Sequence, residues 1–571
     1  MHLFSAMSNV LGKGPGVSLA AEAGLSRVAL VSSLAAVALL WFLPLDARHL
    51  FHADEGRYAE IAREMLVSGD WVTIRYNGLK YFEKPPLHLW MTTIAYKAFG
   101  VGDWQARLWV AISGFMGMLV SMLAAQRWFG ARVAILTGLV LLAAPLWNIG
   151  GHFNSLDMSV SGALACVLAF LLIAQHPSAS PSGRRIWMHA AWGSMAVAVL
   201  TKGLIGIVLP GLALVVYTLV TRDWALWRRL SIAGGAIVFA LIAIPWFVLV
   251  SLRNPEFPQF FFIHEHFQRY TSSVHRRSAP VWYFVPVLFV GFLPWWGLAR
   301  RTSSVVCEDS GRKGFRPLVF LSAWAVTIFI FFSLSGSKLP GYVMPMLPAL
   351  AMLAAVALDR LDGRPWGRQV NFMLVLAAVA FVAGPLVGRM SAETANEAYR
   401  QYMHWIIAGC GVAVAGLAAA RWINTRGALL ASIATASLSL HAATSLVIAG
   451  HGALDRPGSG IDLVPAINAV LKPDTPIYFV RFFDHTLPFY LRRTVTPVET
   501  ADELEFGTRQ EPRKWIPTYA AFRRTWTEGP HALAIMSPST YETLRQDGLM
   551  MVPVARDMRR VVVANFRRTD P

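Results

Sequence analysis

Charge is scarce in this chain: Asp, Glu, Lys and Arg make up 15% of its 571 residues, where a soluble globular protein carries about a quarter. The shortage is one-sided, with 33 acidic residues against 51 basic ones. A large water-facing surface is therefore excluded for most of the chain. Cysteine is rarer still. Cys166, Cys307 and Cys410 share no metal-ligand spacing, and two of them lie in apolar segments, which excludes a zinc finger or a disulfide framework. No Gly-rich phosphate loop precedes a Rossmann-type helix, so nothing points to a nucleotide as a substrate. No internal repeat is visible, and the one biased tract is the Ser/Pro-rich stretch 177–183.

Hydrophobic residues fill the space, at 55% of the chain with a mean hydropathy of +0.47. Apolar windows of spanning length fall near 27–45, 107–126, 133–150, 157–175, 187–201, 204–221, 231–251, 281–299, 317–334, 341–358, 370–388, 402–420 and 428–449. The expected fold is an α-helical polytopic membrane protein with about thirteen transmembrane helices. The pair around 187–221 needs a break at Thr201-Lys202-Gly203. The first window is long enough to span and no small-residue cleavage site follows it, so it reads as a membrane helix rather than a signal peptide.

Arginines concentrate in alternate loops, such as Arg222/Arg228/Arg229 and Arg360/Arg364/Arg368. The positive-inside bias places those loops in the cytoplasm. It also accounts for the net charge of +18 without nucleic acid. The loops 46–106 and 252–280 and the tail after 450 then face outward, to the periplasm of a bacterium. From about Asp462 the character changes: 476–483, 531–536 and 552–567 read as strands, and 501–506, 519–526 and 541–548 as helices. The expected division is a membrane domain over 1–450, including the first loop, and a small periplasmic α/β domain over 451–571.

The first loop holds a polar run unsuited to simple anchoring: His52-Ala53-Asp54-Glu55-Gly56-Arg57-Tyr58, then Gly69-Asp70-Trp71, then Tyr81-Phe82-Glu83-Lys84-Pro85-Pro86. Ionisable groups at a bilayer face contact water, one another or a substrate. The stretch 58–66 reads as a short interfacial helix and 87–99 as a second helix opened by the two prolines. Asp54 and Glu55 read either as N-caps or as a substrate-facing acid pair. Adjacent Glu83 and Lys84 are expected to point apart and find separate partners. Asp157 starts an outer span end, as an N-cap or a further functional acid. Lys202 and Lys338 fall in very short outer loops; with Arg57, Lys84 and Arg269 they would line one face with cations suited to phosphate. His264, with Glu83, offers two ligands to a divalent cation, short of the three or four that zinc normally takes.

The run Asp54-Glu55-x-Arg57-Tyr58-Ala59-Glu60-Ile61-x-Arg63-Glu64-Met65, with Ser68-Gly69-Asp70-Trp71 and Tyr81-Phe82-Glu83-Lys84-Pro85, closely resembles bacterial 4-amino-4-deoxy-L-arabinose transferases acting on lipid A. These belong with the protein O-mannosyltransferase-like enzymes of the GT-C membrane fold. The likeness is weaker at His264/Arg269 and at Ser335-Gly336-Ser337-Lys338-Leu339-Pro340-Gly341-Tyr342, and Ile74 stands where many relatives carry Pro. The resemblance implies an inner-membrane glycosyltransferase taking its sugar from undecaprenyl phosphate at the periplasmic face, acting as a monomer among membrane lipids. Asp54, Glu55 and Asp157 would be catalytic. Arg57, Tyr58, Tyr81, Lys84, Lys202, Arg269, Lys338 and Tyr342 would bind donor and phosphate; apart from the resemblance, the residues themselves offer Glu83 and His264 to a zinc, magnesium or manganese ion. Asp54 would act as a base toward a hydroxyl acceptor, or electrostatically toward a phosphate that is already ionised. A related transferase moving another sugar is the nearest alternative. A polyprenyl-lipid transporter is less favoured, because transporters place ionisable groups near the bilayer midplane.

Overall fold

The computed structural model describes residues 27–51, 53–268, 279–389, 396–500 and 502–566. Among these, eight helices are long and apolar enough to cross a membrane, from Asp103–Phe129 through Leu429–Leu454, and two sharply bent helix pairs bring the number to ten. The bends have local causes. Ala131–Ala143 and Pro145–Gly151 meet at 71°, where Ala144 is held extended (ψ 113°) ahead of Pro145. Of the remaining expected spans, Val31–Asp46 and Ile205–Thr221 are shorter apolar helices, and 187–201 lies within Pro181–Lys202. The break expected at 201–203 is present, with Gly203 at φ 85° closing that helix.

The chain forms two compact units. One comprises 1–44, 109–385 and 404–448, and the other 45–108, 386–403 and 449–571. The tail begins at 449, beside the expected 450, but the first loop clusters with it rather than with the spans. The first loop groups with the tail because its polar residues find their partners there.

In the second unit, β1 (Arg75–Tyr76) and β2 (Leu79–Lys80) form an antiparallel hairpin. Its two-residue turn, Asn77-Gly78, has both φ values positive (53° and 72°), the conformation that favours Asn-Gly. Five more strands make one sheet: β3 (Ile477–Val480), β4 (Thr496–Val498), β5 (Leu533–Met536), β6 (Val552–Arg556) and β7 (Val561–Ala564), in the order β4-β3-β5-β7-β6. β3 runs parallel to β4 and β5, while β7 runs antiparallel to β5 and β6. Alternate residues enter two cores: Tyr478, Ala534 and Val563 with Phe522 and Trp526 on one face, and Phe479, Ile535 and Val562 with Ile467 and Leu487 on the other. Burial on both faces explains the continuous apolar runs. The expected strands at 476–483, 531–536 and 552–567 are thus present, and β4 and the first-loop hairpin are additions.

Candidate active site

The polar run folds as one buried helix, Ala53–Ser68. It starts five residues before the expected interfacial helix, so Asp54 and Glu55 occupy its first turn rather than preceding it. It is not a surface helix either: every residue from Glu55 to Met65 is buried.

Glu55 is fully buried and accepts from both arginines that face it. Arg48 donates at 2.6 and 3.0 Å, Arg107 at 2.9 and 3.0 Å, and the Phe51 amide at 3.3 Å. Burial alone would raise its pKa, but Arg107 and Arg48 outweigh it and hold the carboxyl far below its ordinary value. Arg107 also donates to the carbonyls of Leu45, Arg48 and His49. Glu55 is therefore the pin of the loop entering the helix, and the expected acid pair is reduced to Asp54.

Asp54 keeps 19% of its side chain exposed and pairs with Arg57 one turn later. The same guanidinium reaches Glu503, 446 positions along the chain. Burial works against the Arg57 charge, yet Tyr81, Tyr58, Asp54 and Glu503 around it outweigh that and hold it protonated. Glu503 is shifted below its ordinary value: burial raises it, but Arg57 and His485 win. Arg57 lies 5.1 Å from the Tyr58 ring centroid. Burial raises the Tyr58 and Tyr81 phenols well above their usual range, so both remain neutral donors. Tyr81 donates to Glu83 at 3.3 Å.

Glu83 and Lys84 do not point apart. The Lys84 ammonium lies 3.7 Å from the Glu83 carboxylate and donates to the Glu83 carbonyl at 3.0 Å. Both precede Leu87–Phe99, whose N-cap is Pro86. Among the described residues no group of three or more His, Cys, Asp or Glu forms a metal site. The side chain of His264 and the whole of Arg269 lie outside the described residues.

In the membrane unit three elements bring Asp157, Lys202 and Tyr342 together. Asp157, in the first turn of Leu156–Ala174, pairs with Lys202 at the end of Pro181–Lys202. Lys202 Nζ lies 4.5 Å from the Tyr342 ring centroid. Gly341 permits the approach, because a Cβ there would stand 2.8 Å from that of Asp157. Asp157 is thus an ion-pair partner, not a side-chain cap. Lys338 does not line a surface: it is buried, and its ammonium donates to the Ser335 carbonyl at 2.6 Å.

Residues 26–261 match the family model for dolichyl-phosphate-mannose-protein mannosyltransferase, and residues 463–565 that for the aminoarabinose transferase C-terminal domain. A relative from Aeromonas salmonicida (strain A449), named undecaprenyl phosphate-alpha-4-amino-4-deoxy-L-arabinose arabinosyl transferase, is 34% identical over 400 residues, covering 68% of this chain and 71% of its own. A relative of the same name from Erwinia tasmaniensis is 31% identical, covering 68% and 73%. The crystal structure of ArnT from Cupriavidus metallidurans bound to undecaprenyl phosphate superposes with a TM-score of 0.91 at 52% identity, over 95% of this chain and 99% of that one. The chain belongs to the aminoarabinose transferase family.

Family membership confirms the GT-C membrane fold and the glycosyltransferase class expected from the Asp54–Pro85 motif. It leaves the site residues to be argued from geometry. Sequence reasoning missed Glu503, Arg48, Arg107 and His485. Arg107 carried a usable signal, a lone cation at the start of an apolar span. Glu503 carried none, since nothing local distinguishes it from the other carboxylates of a solvated helix.

Proposed function

We propose that this aminoarabinose transferase moves 4-amino-4-deoxy-L-arabinose from undecaprenyl phosphate to a phosphate of lipid A, at the periplasmic face of the bacterial inner membrane. The observation that carries it is the 52% identity, over nearly the whole chain, to an ArnT whose crystal structure holds undecaprenyl phosphate. In the reaction a lipid A phosphate oxygen attacks the anomeric carbon as the bond from that carbon to the undecaprenyl phosphate oxygen breaks. Undecaprenyl phosphate leaves with the electron pair.

The residues of the second unit divide that work. Asp54 shares a buried guanidinium with Glu503. Toward a phosphate acceptor, which is already ionised and needs no base, Asp54 stabilises positive charge at the anomeric carbon or on the sugar's ammonium. Lys84 is the cation for the leaving phosphate as negative charge builds on it, with Tyr81 alongside as a neutral donor. Asp157, Lys202 and Tyr342 form a second charged constellation that Lys202→Ala tests separately as a donor contact. No step is assigned to a divalent cation.

Mass spectrometry of lipid A from a strain lacking the gene, complemented with the wild type or with Asp54→Asn, tests the reading. An aminoarabinose increment, accompanied by polymyxin resistance, is expected with the wild type alone. Unmodified lipid A alongside an altered glycoprotein would favour the mannosyltransferase-like alternative.

A further inference from the structure

A cleft of about 330 Å³ opens in the second unit beside the start of the 53–68 helix. Its walls include the rings of Phe51, Phe482, Phe483 and His485, the Arg559 side chain and Ala53, the residue next to Asp54. The composition is two-sided: flat aromatic surface for an apolar sugar face, and an exposed guanidinium suited to bidentate contact with a phosphate. Asp484 also lines the cleft, but its charge is spent internally. It accepts from Arg560 at 2.7 Å and from the Thr486 and Leu487 amides at 2.9 Å each, so it does not oppose an anion.

The cleft is rigidly tied to the helix carrying Asp54. Gly56 is pressed so closely on the 485–486 backbone that a Cβ there would lie 2.7 Å from Thr486 Cα. The His485 ring is fixed by the Tyr76 hydroxyl at 2.7 Å from Nδ1 and lies nearly parallel to the Tyr76 ring, at 15°. Such a floor presents its ligand at a set position relative to Asp54.

We propose that this cleft seats the phosphorylated sugar head of the acceptor, with Arg559 on a phosphate and Phe482 and Phe483 against the sugar ring. The inference rests on the proposed transfer to lipid A and names the acceptor's place in it. The test uses full-length enzyme in nanodiscs, with the undecaprenyl-phosphate donor and purified lipid A varied in turn. Arg559→Ala is expected to raise the acceptor KM about tenfold or more, the worth of one charge-assisted hydrogen bond, leaving the donor KM unchanged. Arg559→Lys recovers part of the loss, Arg559→Glu deepens it, and Phe482→Ala raises the acceptor KM alone. Arg524→Ala, on the exposed side of another helix, moves neither constant. An unchanged acceptor KM in Arg559→Ala and Phe482→Ala, or an equal rise in both KM values, overturns the cleft assignment. A wild-type enzyme that fails to modify lipid A overturns the functional reading beneath it.

Discussion

Arg57 donates to Asp54 in its own helix and to Glu503 from the C-terminal α/β domain. One buried guanidinium thus holds two acids from distant parts of the chain. Removing Glu503 should loosen Arg57 and so misplace Asp54. Glu503→Gln is expected to lower kcat about tenfold, about 1.4 kcal/mol on the barrier, and to lower Tm as well, because Arg57 loses a buried counter-charge. A double-mutant cycle with Arg57→Lys should show strong non-additivity; additive losses would refute the coupling.

Asp54 and Glu55 are neighbours with opposite fates. Asp54→Asn and Lys84→Ala should each abolish lipid A modification while the protein still accumulates in the membrane. Glu55→Gln should instead act on the fold, because it strands Arg48 and Arg107 without their counter-charge. A loss of about 3–5 kcal/mol is expected, read as a lowered Tm in detergent and reduced abundance. A Glu55→Gln enzyme of normal Tm would contradict the pinning role.

Glu64 gives the 53–68 helix a pH response. Its oxygens accept from the Asn77 and Gly78 amides at 2.5 and 2.7 Å. Burial first, then the nearby Glu60 charge, push its pKa up to about 7 against an ordinary 4.5. The folded state therefore binds this proton more tightly than the unfolded chain. The associated stability is fully present below about pH 4.5 and is lost as pH rises through 7, by at most about 3 kcal/mol. Glu55 has the opposite sign: its contribution is present above the ordinary carboxylate range and disappears in acid. Melting curves from pH 5 to 8 should slope downward in the wild type and flatten in Glu64→Gln.

Gly56 marks where backbone meets backbone. Gly56→Ala should push the 485–486 loop off the helix, costing about 1–3 kcal/mol as overpacking does. Faster proteolysis of the C-terminal domain than in wild type would report it. Unaltered proteolysis would show that the loop has room to move.

The membrane spans and the buried strands were legible in the sequence because length, apolar run and turn residues are local signals. Pro86 opening Leu87–Phe99 and the break at Gly203 were read from single residues with fixed backbone preferences. The Asp54–Lys84 run was visible as chemistry out of place. What it could not disclose was burial. Glu55 looks like Asp54 in the sequence and differs through its burial between Arg48 and Arg107, the latter 52 positions away. Likewise the helix seemed interfacial because its polar residues were assumed to face water, whereas Glu55 and Glu64 are paired within the first loop and the following span start, and Arg57 with Glu503 of the tail.

The joining of the first loop to the tail also sets an order of events. The ribosome completes residues 45–108 long before 449–571, and at roughly 5–20 residues per second Arg57 exists on the order of half a minute or longer before Glu503. Through that interval the helix that carries Asp54 lacks Glu503, and the Arg57 charge must stay hydrated or lean on Asp54 alone. The first loop is thus born early and finished last, and a chain cut short between the last span, which ends at Leu454, and Glu503 keeps its spans but leaves the candidate site unassembled.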